Sequence, residues 1–520
     1  MPNKKRPIKL SGDKKLHKRP GQWLALSGED TTGVGHTADA ARVEALKTRA
    51  RERSQLAYMP IPTQIETALP SELDQVFDAI PEDMHDRIWL VGGAVRDAIL
   101  RRPIHDLDFV IDGDSLELAR LVADQLSGSF FILDAERRFG RVILEESATR
   151  FEIDFAPLEG KDIVADLMTR DFAVNAMALT FPLEQGVIDP AGGQEDLRHR
   201  ALRRVTPQAM QADPLRTLRA VRHAADLGFY IERETRADIR EAVSLLDKVS
   251  VERLRDELMR CMHGPKPAAT MRAMALLGVL EKGFPALQLG QAFEHALAVQ
   301  NKLSGVLSVL SARHDIDAAS EFALGLVAGR VGRYRLQISD RLNEELSPGR
   351  SRRSLIFLGA LIRELVVVDA FAHLIRLSSG EICWLVKVTQ NVNAASQLAG
   401  NGSLPSSLEI HRFFRKAGES GVEACLLALA DILARYGPEL EQDYWASVIA
   451  GTVEILEGYF QRYETVIDPP ILVNGNDLMA ALDIPAGPRI GGLLSAVREA
   501  QIVGEVESRE QALDYARRES

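Results

Sequence analysis

The segment Trp89-Leu-Val-Gly92-Gly93-Ala-Val-Arg96-Asp97 is followed, ten residues after Arg96, by Asp106-Leu-Asp108. A short apolar run that ends in paired glycines and opens a helix lays bare backbone N–H groups at a helix N-terminus, where a phosphate binds well. Arg96, one turn in, adds a charge-assisted bond to the same phosphate. The plainer reading is that two glycines make a tight strand-to-helix turn, and the pair alone supports no more. Asp106 and Asp108 alter that balance. Alternate residues of a strand share a face, so the two carboxylates point the same way, roughly 6–7 Å apart, while Leu107 and Phe109 face the core. Like charges on one face repel unless a cation or solvent offsets them, and two Mg2+ ions held by shared carboxylates are the usual machinery for in-line attack on phosphorus. Loop and carboxylates together read as nucleotide plus metal.

A second concentration of charge lies downstream. Asp213-Pro214 reads first as a helix N-cap followed by proline at the first helical position. Arg216, Arg219 and Arg222 then recur every third residue and form a drifting stripe on one helix face. A solvated face explains each arginine singly; the stripe as a whole calls for an anion, and a triphosphate fits.

These residues need a scaffold. Short β-rich runs at Ile88–Val91, Leu107–Ile111, Phe130–Leu133, Arg141–Leu144 and Phe151–Phe155 alternate with helical stretches at Ala94–Leu100 and Ser115–Leu126. That pattern argues for an α/β or α+β domain ending near Asp196. Beyond Asp213 the period is nearly all 3.6, with helices expected at Pro214–Leu227, Glu234–Leu246, Val251–Cys261 and Ala268–Leu277. Residues 1–60 are polar and weakly periodic, a mobile arm followed by a short helix around Ala38–Ala57. Gly264-Pro265, Ser347-Pro348-Gly349 and Pro469-Pro470 mark breaks.

Composition closes off other classes. At about 150 residues per domain, 520 residues predict three or four units, and 46% hydrophobic with 26% charged residues excludes a disordered or fibrous chain. The longest apolar run, Leu355–Ile362, falls far short of the roughly 20 residues that cross a bilayer, and no secretory signal opens the chain, so no membrane partner and a cytoplasmic location are expected. Cys261, Cys383 and Cys425 lie too far apart for a ligand motif, so neither disulfides nor a cysteine zinc site is expected. Net charge is −11, yet residues 1–20 carry eight Lys/Arg against Asp13 alone. Such an arm either meets nucleic acid or is a solvated tail.

Four segments in order resemble the class II tRNA nucleotidyltransferases, the CCA-adding and poly(A) polymerase family. Gly92-Gly93-x-Val95-Arg96-Asp97 with Asp106-x-Asp108 resembles the family's first motif. The run Met168-Thr-Arg-Asp-Phe-Ala-Val-Asn-Ala-Met-Ala178 resembles RRDFTxNAMA, Asp189 to Leu197 resembles its D-x-x-x-G-x-x-D-L connector, and Ala212-Asp213-Pro-Leu-Arg216 resembles its EDPLR helix. The match covers about Ile88 to Leu280. It implies an α+β fold: a polymerase-β-like nucleotidyltransferase head, a small mixed sheet with helices, followed by an elongated all-α body. The division expected is an arm (1–60), a catalytic head (61–200), a neck with the base-recognition helix (201–280), a helical body (281–468) and a tRNA-contacting tail (469–520).

The resemblance also implies roles. The 3′-hydroxyl of tRNA attacks the α-phosphorus of CTP or ATP and releases pyrophosphate. Asp106 and Asp108 hold two Mg2+ ions; Gly92, Gly93, Arg96, Arg170, Arg219 and Arg222 hold phosphates and ribose; Asp213 and Arg216 read the base edge. Asp171 caps the local helix or touches the ribose, Asn175 is a structural hydrogen-bonding residue, and Asp154 stands on a strand suited to a third carboxylate. Two rivals share this head: a poly(A) polymerase using ATP alone, and a non-catalytic RNA-binding relative.

Departures from the pattern narrow the expectation. Ala212 replaces the acid of EDPLR and Thr169 one arginine of the pair, and the segment Asp154–Arg170 lacks the longer flexible loop that assists the change from C to A in full CCA-adding members. A partial CC- or A-adding activity is therefore expected beside complete synthesis. His295 and His314-Asp315 are at best remnants of the HD module that many members carry. The Asn474-Gly475-x-Asp477-Leu478 and Gly487-Pro488-x-Ile-Gly491-Gly492 segments resemble the tail of bacterial members; the glycines either admit an RNA backbone or allow tight helix packing.

Overall fold

The computed structural model describes residues 23–27, 30–35, 38–48, 55–58, 69–70, 72–104, 106–146, 149–180, 186–311 and 321–520. Residues 1–22, which carry the basic arm, and His314-Asp315 lie outside them. The chain packs as two units, Met1–Ala242 and Val243–Ser520.

The first unit is built on a seven-stranded sheet ordered β10-β9-β4-β5-β8-β7-β6. Its strands are β4 (Ile88–Val91), β5 (Asp106–Ile111), β6 (Ser129–Asp134), β7 (Phe139–Glu146), β8 (Thr149–Pro157), β9 (Ala178–Thr180) and β10 (Val187–Ile188). β5 and β8 run parallel, whereas β4 lies antiparallel to β5 and β9, and β7 to β8. The alternation read from the sequence holds: Leu107, Phe109 and Ile111 are buried on one face, where Phe109 stacks on Phe155 with ring centroids 5.4 Å apart. Helix α4 (Ser115–Leu126) starts where Asp114 accepts hydrogen bonds from the Leu116 and Glu117 backbone amides, and it buries Leu118, Ala119, Val122 and Ala123.

Ahead of this sheet, β1 (Trp23–Ser27), β2 (Asp30–Gly35) and β3 (Gln55–Tyr58) form a small antiparallel sheet with α1 (Ala38–Thr48) packed on it. The expected helix to Ala57 is corrected here: the helix spans Ala38–Thr48, and Gln55–Tyr58 is a strand. Pattern reading failed because these strands are short and β2 is rich in glycine and threonine. Packing holds them instead. A Cβ on Gly33 would stand 2.2 Å from the Ala41 carbonyl oxygen, and Ala25, Ala41 and Ala45 share a buried cluster with Val91, Val110 and Ala178 of the main sheet.

Within this unit β11 (Ala201–Leu202) pairs in parallel with β12 (Tyr230–Ile231), and α8 (Arg216–Leu227) packs against both strands. Among the described residues, the second unit is helical apart from a short hairpin at residues 345–351. At its centre, the helix Gly421–Tyr436 buries every residue from Gly421 to Leu433, the mark of a helix surrounded by others. The last three helices, between Gly475 and Glu519, close over their own cluster of Leu478, Ile490, Leu493, Val497, Val506 and Ala512.

Candidate active site

The register of β5 decides the site. Asp106 pairs with Glu152 and Asp108 with Asp154 across the parallel β5–β8 ladder, and Arg141 of β7 pairs with Asp154. Paired residues share a face, so four carboxylates and one guanidinium stand together opposite the Phe109 core. Arg141 donates from Nε and Nη2 to the two Asp154 oxygens at 2.7 and 2.8 Å and pairs with Glu152 through Nη1. Burial first, and the Asp154 charge next, push the Asp108 carboxyl up to about 6, against the pull of Arg170. A carboxylate so crowded by others has unmet demand for positive charge, and an all-oxygen donor set is the kind that Mg2+ prefers. The residues present therefore fit a divalent ion.

Next to them, Gly92 turns β4 into α3 (Gly93–Leu100) with φ at 74°, a region that L side chains avoid. A Cβ there would sit 3.2 Å from Nη1 of Arg170 and 3.5 Å from Oδ2 of Asp108, so Arg170 reaches over the glycine to the carboxylates. Arg170 is held by Asp166, whose Oδ1 accepts from Nε and Nη2 at 3.2 Å. The amides of the first turn of α3, which lack intrahelical acceptors, open beside this spot. Gly92, Gly93, Arg170, Asp106 and Asp108 are thus brought together.

Arg96 is held by partners within the protein. Its guanidinium is engaged by Asp97 through Nε and Nη2 at 3.0 and 2.6 Å and by Asn175 Oδ1 through Nη1 at 2.6 Å. Asn175 in turn donates to Asp171 Oδ1 at 3.3 Å, which also accepts the Phe172 amide at 2.8 Å. Asp171 Oδ2 takes Nε and Nη2 of Arg219 at 2.8 and 2.6 Å. The result is an unbroken chain of polar contacts from α3 to α8. Burial alone would raise the Asp171 carboxyl, but Arg219 outweighs it and holds the group well below the ordinary carboxylate range.

The arginine stripe also finds partners within the protein. Arg216 donates through Nη2 to the Thr169 carbonyl at 2.8 Å and through Nη1 to that of Ala209; Arg219 takes Asp171; Arg222 pairs with Asp226 at 3.5 Å and lies 3.3 Å from His223 Nε2. Each arginine of the stripe thus has a partner within the protein, a carboxylate for Arg219 and Arg222 and two neutral carbonyls for Arg216. Arginine can only donate, so the His223 ring accepts at Nε2, and burial, then Arg222, holds its imidazole well below its usual value and neutral. Asp213 accepts the Leu215 amide at 3.3 Å, but α8 opens at Arg216 with Leu215 at its N-cap, so Asp213 and Pro214 stand ahead of the helix and the expected capping role is corrected.

The connector and tail motifs prove largely architectural. Asp189 accepts the Gly193 and Gln194 amides at 2.6 and 2.8 Å, and Gly193 packs so closely that a Cβ would stand 2.2 Å from the Ala173 oxygen. Asn474 and Asp477 form a reciprocal capping box. At Gly491 and Gly492 a Cβ would meet nothing within 4 Å, so tight packing does not account for them. In the second unit His295, Glu364 and Asp431 gather, but Arg363 lies 2.7 Å from Asp431 and 2.8 Å from Glu364, and Arg435 lies 3.1 Å from Asp431. Guanidinium groups already supply the positive charge there.

The poly(A) polymerase head domain model matches residues 88–203, the probable RNA and SrmB-binding site of polymerase A matches 228–289, and the putative tRNA nucleotidyltransferase domain 2 matches 456–516. The CC-adding tRNA nucleotidyltransferase of Geobacter sulfurreducens is 32% identical over 82% of this chain and 90% of its own. The A-adding tRNA nucleotidyltransferase of Deinococcus radiodurans is 30% identical over 82% of this chain and 94% of its own. A CCA-adding enzyme solved with ATP shares the fold, with a TM-score of 0.60 over 88% of this chain and 98% of its own at 19% identity. This chain belongs to the CCA-adding family of tRNA nucleotidyltransferases.

Proposed function

We propose that the chain extends the 3′ end of tRNA with CMP from CTP, building the CC part of the terminus and releasing pyrophosphate in the cytoplasm. The reading rests on the carboxylate face standing directly beside the Gly92 turn, with Arg170 bridging the two. Asp106 and Asp108 would hold two Mg2+ ions, which supply the charge that favours the attacking alkoxide and the departing pyrophosphate. The chain's own residues do the remaining work. Amides of the α3 first turn and Arg170 orient the triphosphate, and Arg96, with Arg219 and Arg222 of the stripe, lines the phosphate and ribose side. Asp213 accepts from the exocyclic amino group that C and A share, while Arg216 donates to ring acceptors, which disfavours U and G. Docking of Arg216 on Thr169 and of Arg219 on Asp171 fixes this reading helix against the motif that carries Arg170.

Five residues, 158–162, join β8 to the next helix, Ile163–Leu167, leaving no room for the loop tied to the C-to-A change. That favours stopping after CC. The test is sequencing of 3′ ends after incubating tRNA that lacks its end, and tRNA ending in CC, with each NTP singly and with CTP plus ATP. CC addition that stops with ATP present supports the reading. A single A on CC-ended tRNA alone, or a full CCA end, reassigns the step; ATP tailing of unstructured RNA makes the chain a poly(A) polymerase; and no incorporation on any RNA leaves a non-catalytic RNA-binding relative.

A further inference from the structure

Arg141 stands among the four carboxylates of the β5–β8 face and has no part in the roles above. Its Nε and Nη2 close a two-point bond on Asp154, and Nη1 holds Glu152. Asp154 is also the residue directly across from Asp108 in the parallel ladder, and its charge pushes the Asp108 carboxyl upward while Arg141 pulls it down. One guanidinium therefore does two things: it ties up both oxygens of Asp154 and one of Glu152 beside the metal face, and its charge offsets one unit of negative charge there.

We propose that Arg141 is a positioning residue that sets the divalent-ion affinity of this face, by withholding Asp154 and Glu152 so that a metal ion draws on Asp106 and Asp108. The proposal rests on the metal-binding reading of those two aspartates. Four carboxylates on alternate rungs of a ladder, with no guanidinium among them, form a dense oxygen cage that binds a hard dication tightly, because ligand charge and number both rise. Tight binding is a disadvantage in a transferase that must release a charged product. Arg141 keeps the cage half closed to metal.

The experiment measures Mn2+ binding to the full chain by electron paramagnetic resonance of the free ion, without nucleotide or tRNA, so that turnover plays no part. In Arg141→Gln, Asp154 and Glu152 are released, and Mn2+ binds roughly tenfold tighter, the ratio given by ~1.4 kcal/mol. Mn2+ also raises the thermal transition of this variant more than that of the wild type. Adding Asp154→Asn to Arg141→Gln returns the affinity towards the wild-type value. Arg141→Lys, which keeps the charge but gives up the two-point bond on Asp154, also binds Mn2+ more tightly than the wild type and serves if Arg141→Gln does not fold. Unchanged or weaker Mn2+ binding by folded Arg141→Gln overturns the proposal, as does a loss of tRNA affinity with Mn2+ binding unaltered, which would assign Arg141 to the RNA. If the wild type shows no saturable Mn2+ binding that Asp106→Asn with Asp108→Asn abolishes, the metal reading itself fails, a result distinct from these.

Discussion

Replacing Asp171 by asparagine severs the link between the head motif and the reading helix while nearly preserving shape. The carboxylate accepts from the Phe172 amide and Asn175 on one oxygen and from two Arg219 nitrogens on the other. An amide there turns an NH2 group towards one of its donors and leaves Arg219 without a counter-charge. Removing one partner of a buried ion pair costs about 3–5 kcal/mol. Asp171 is 7% exposed but Arg219 33%, so solvent screening lowers the expected loss to about 2–3 kcal/mol. For a unit of this size that corresponds to a fall of roughly 4–12 °C in its thermal transition, read by scanning calorimetry. The pH dependence carries a definite sign. The folded carboxyl titrates below its unfolded value of about 3.9, so its stabilisation is fully present above that value and is lost as pH falls through the folded one. The gap between wild type and variant should be constant from pH 7 to 5 and shrink below about pH 4. A transition within about 2 °C of wild type at pH 7, or a gap that widens on acidification, would refute the reasoning.

Two further outcomes follow from the same geometry. Gly92→Ala forces a side chain into a left-handed turn beside Arg170 and Asp108; about 1–3 kcal/mol of strain is expected, with a raised KM for CTP in steady-state incorporation and little change in tRNA affinity by filter binding. Arg216→Ala removes the donor proposed to read the base and its bond to Thr169, so the preference for CTP over UTP should fall by one to two orders of magnitude, or ~1–3 kcal/mol of discrimination, in competition assays.

Local signals carried the head, and long-range ones did not. β4 falls on the expected Ile88–Val91, and Asp106 and Asp108 share a face because strand alternation leaves no other option. The glycine turn and the helix after it were likewise legible, since paired glycines before an apolar helix have few other uses. The partners of the arginines were not. Arg96 finds Asn175 across 79 residues and Arg219 finds Asp171 across 48, so spacing exposed a stripe of charge but not the two acids and the carbonyls that partner it. Asp154 was visible as a candidate, yet only the parallel register of β5 with β8 sets it opposite Asp108, and only β7 brings Arg141 onto it. The first three strands were missed because tertiary packing of Ala25, Ala41 and Ala45, not periodicity, holds them.

The central claim is that Asp106 and Asp108 form the divalent-ion cradle for nucleotidyl transfer. It is tested most directly by incorporation of labelled CMP into tRNA lacking its 3′ end, across a Mg2+ series, by wild type, Asp106→Asn and Asp108→Asn. The wild type should require Mg2+, and each variant should lose at least about a thousandfold, or ~4 kcal/mol of transition-state stabilisation, while keeping the wild-type thermal transition and tRNA affinity. Either variant working within tenfold of the wild type, or a wild type indifferent to Mg2+, would contradict it.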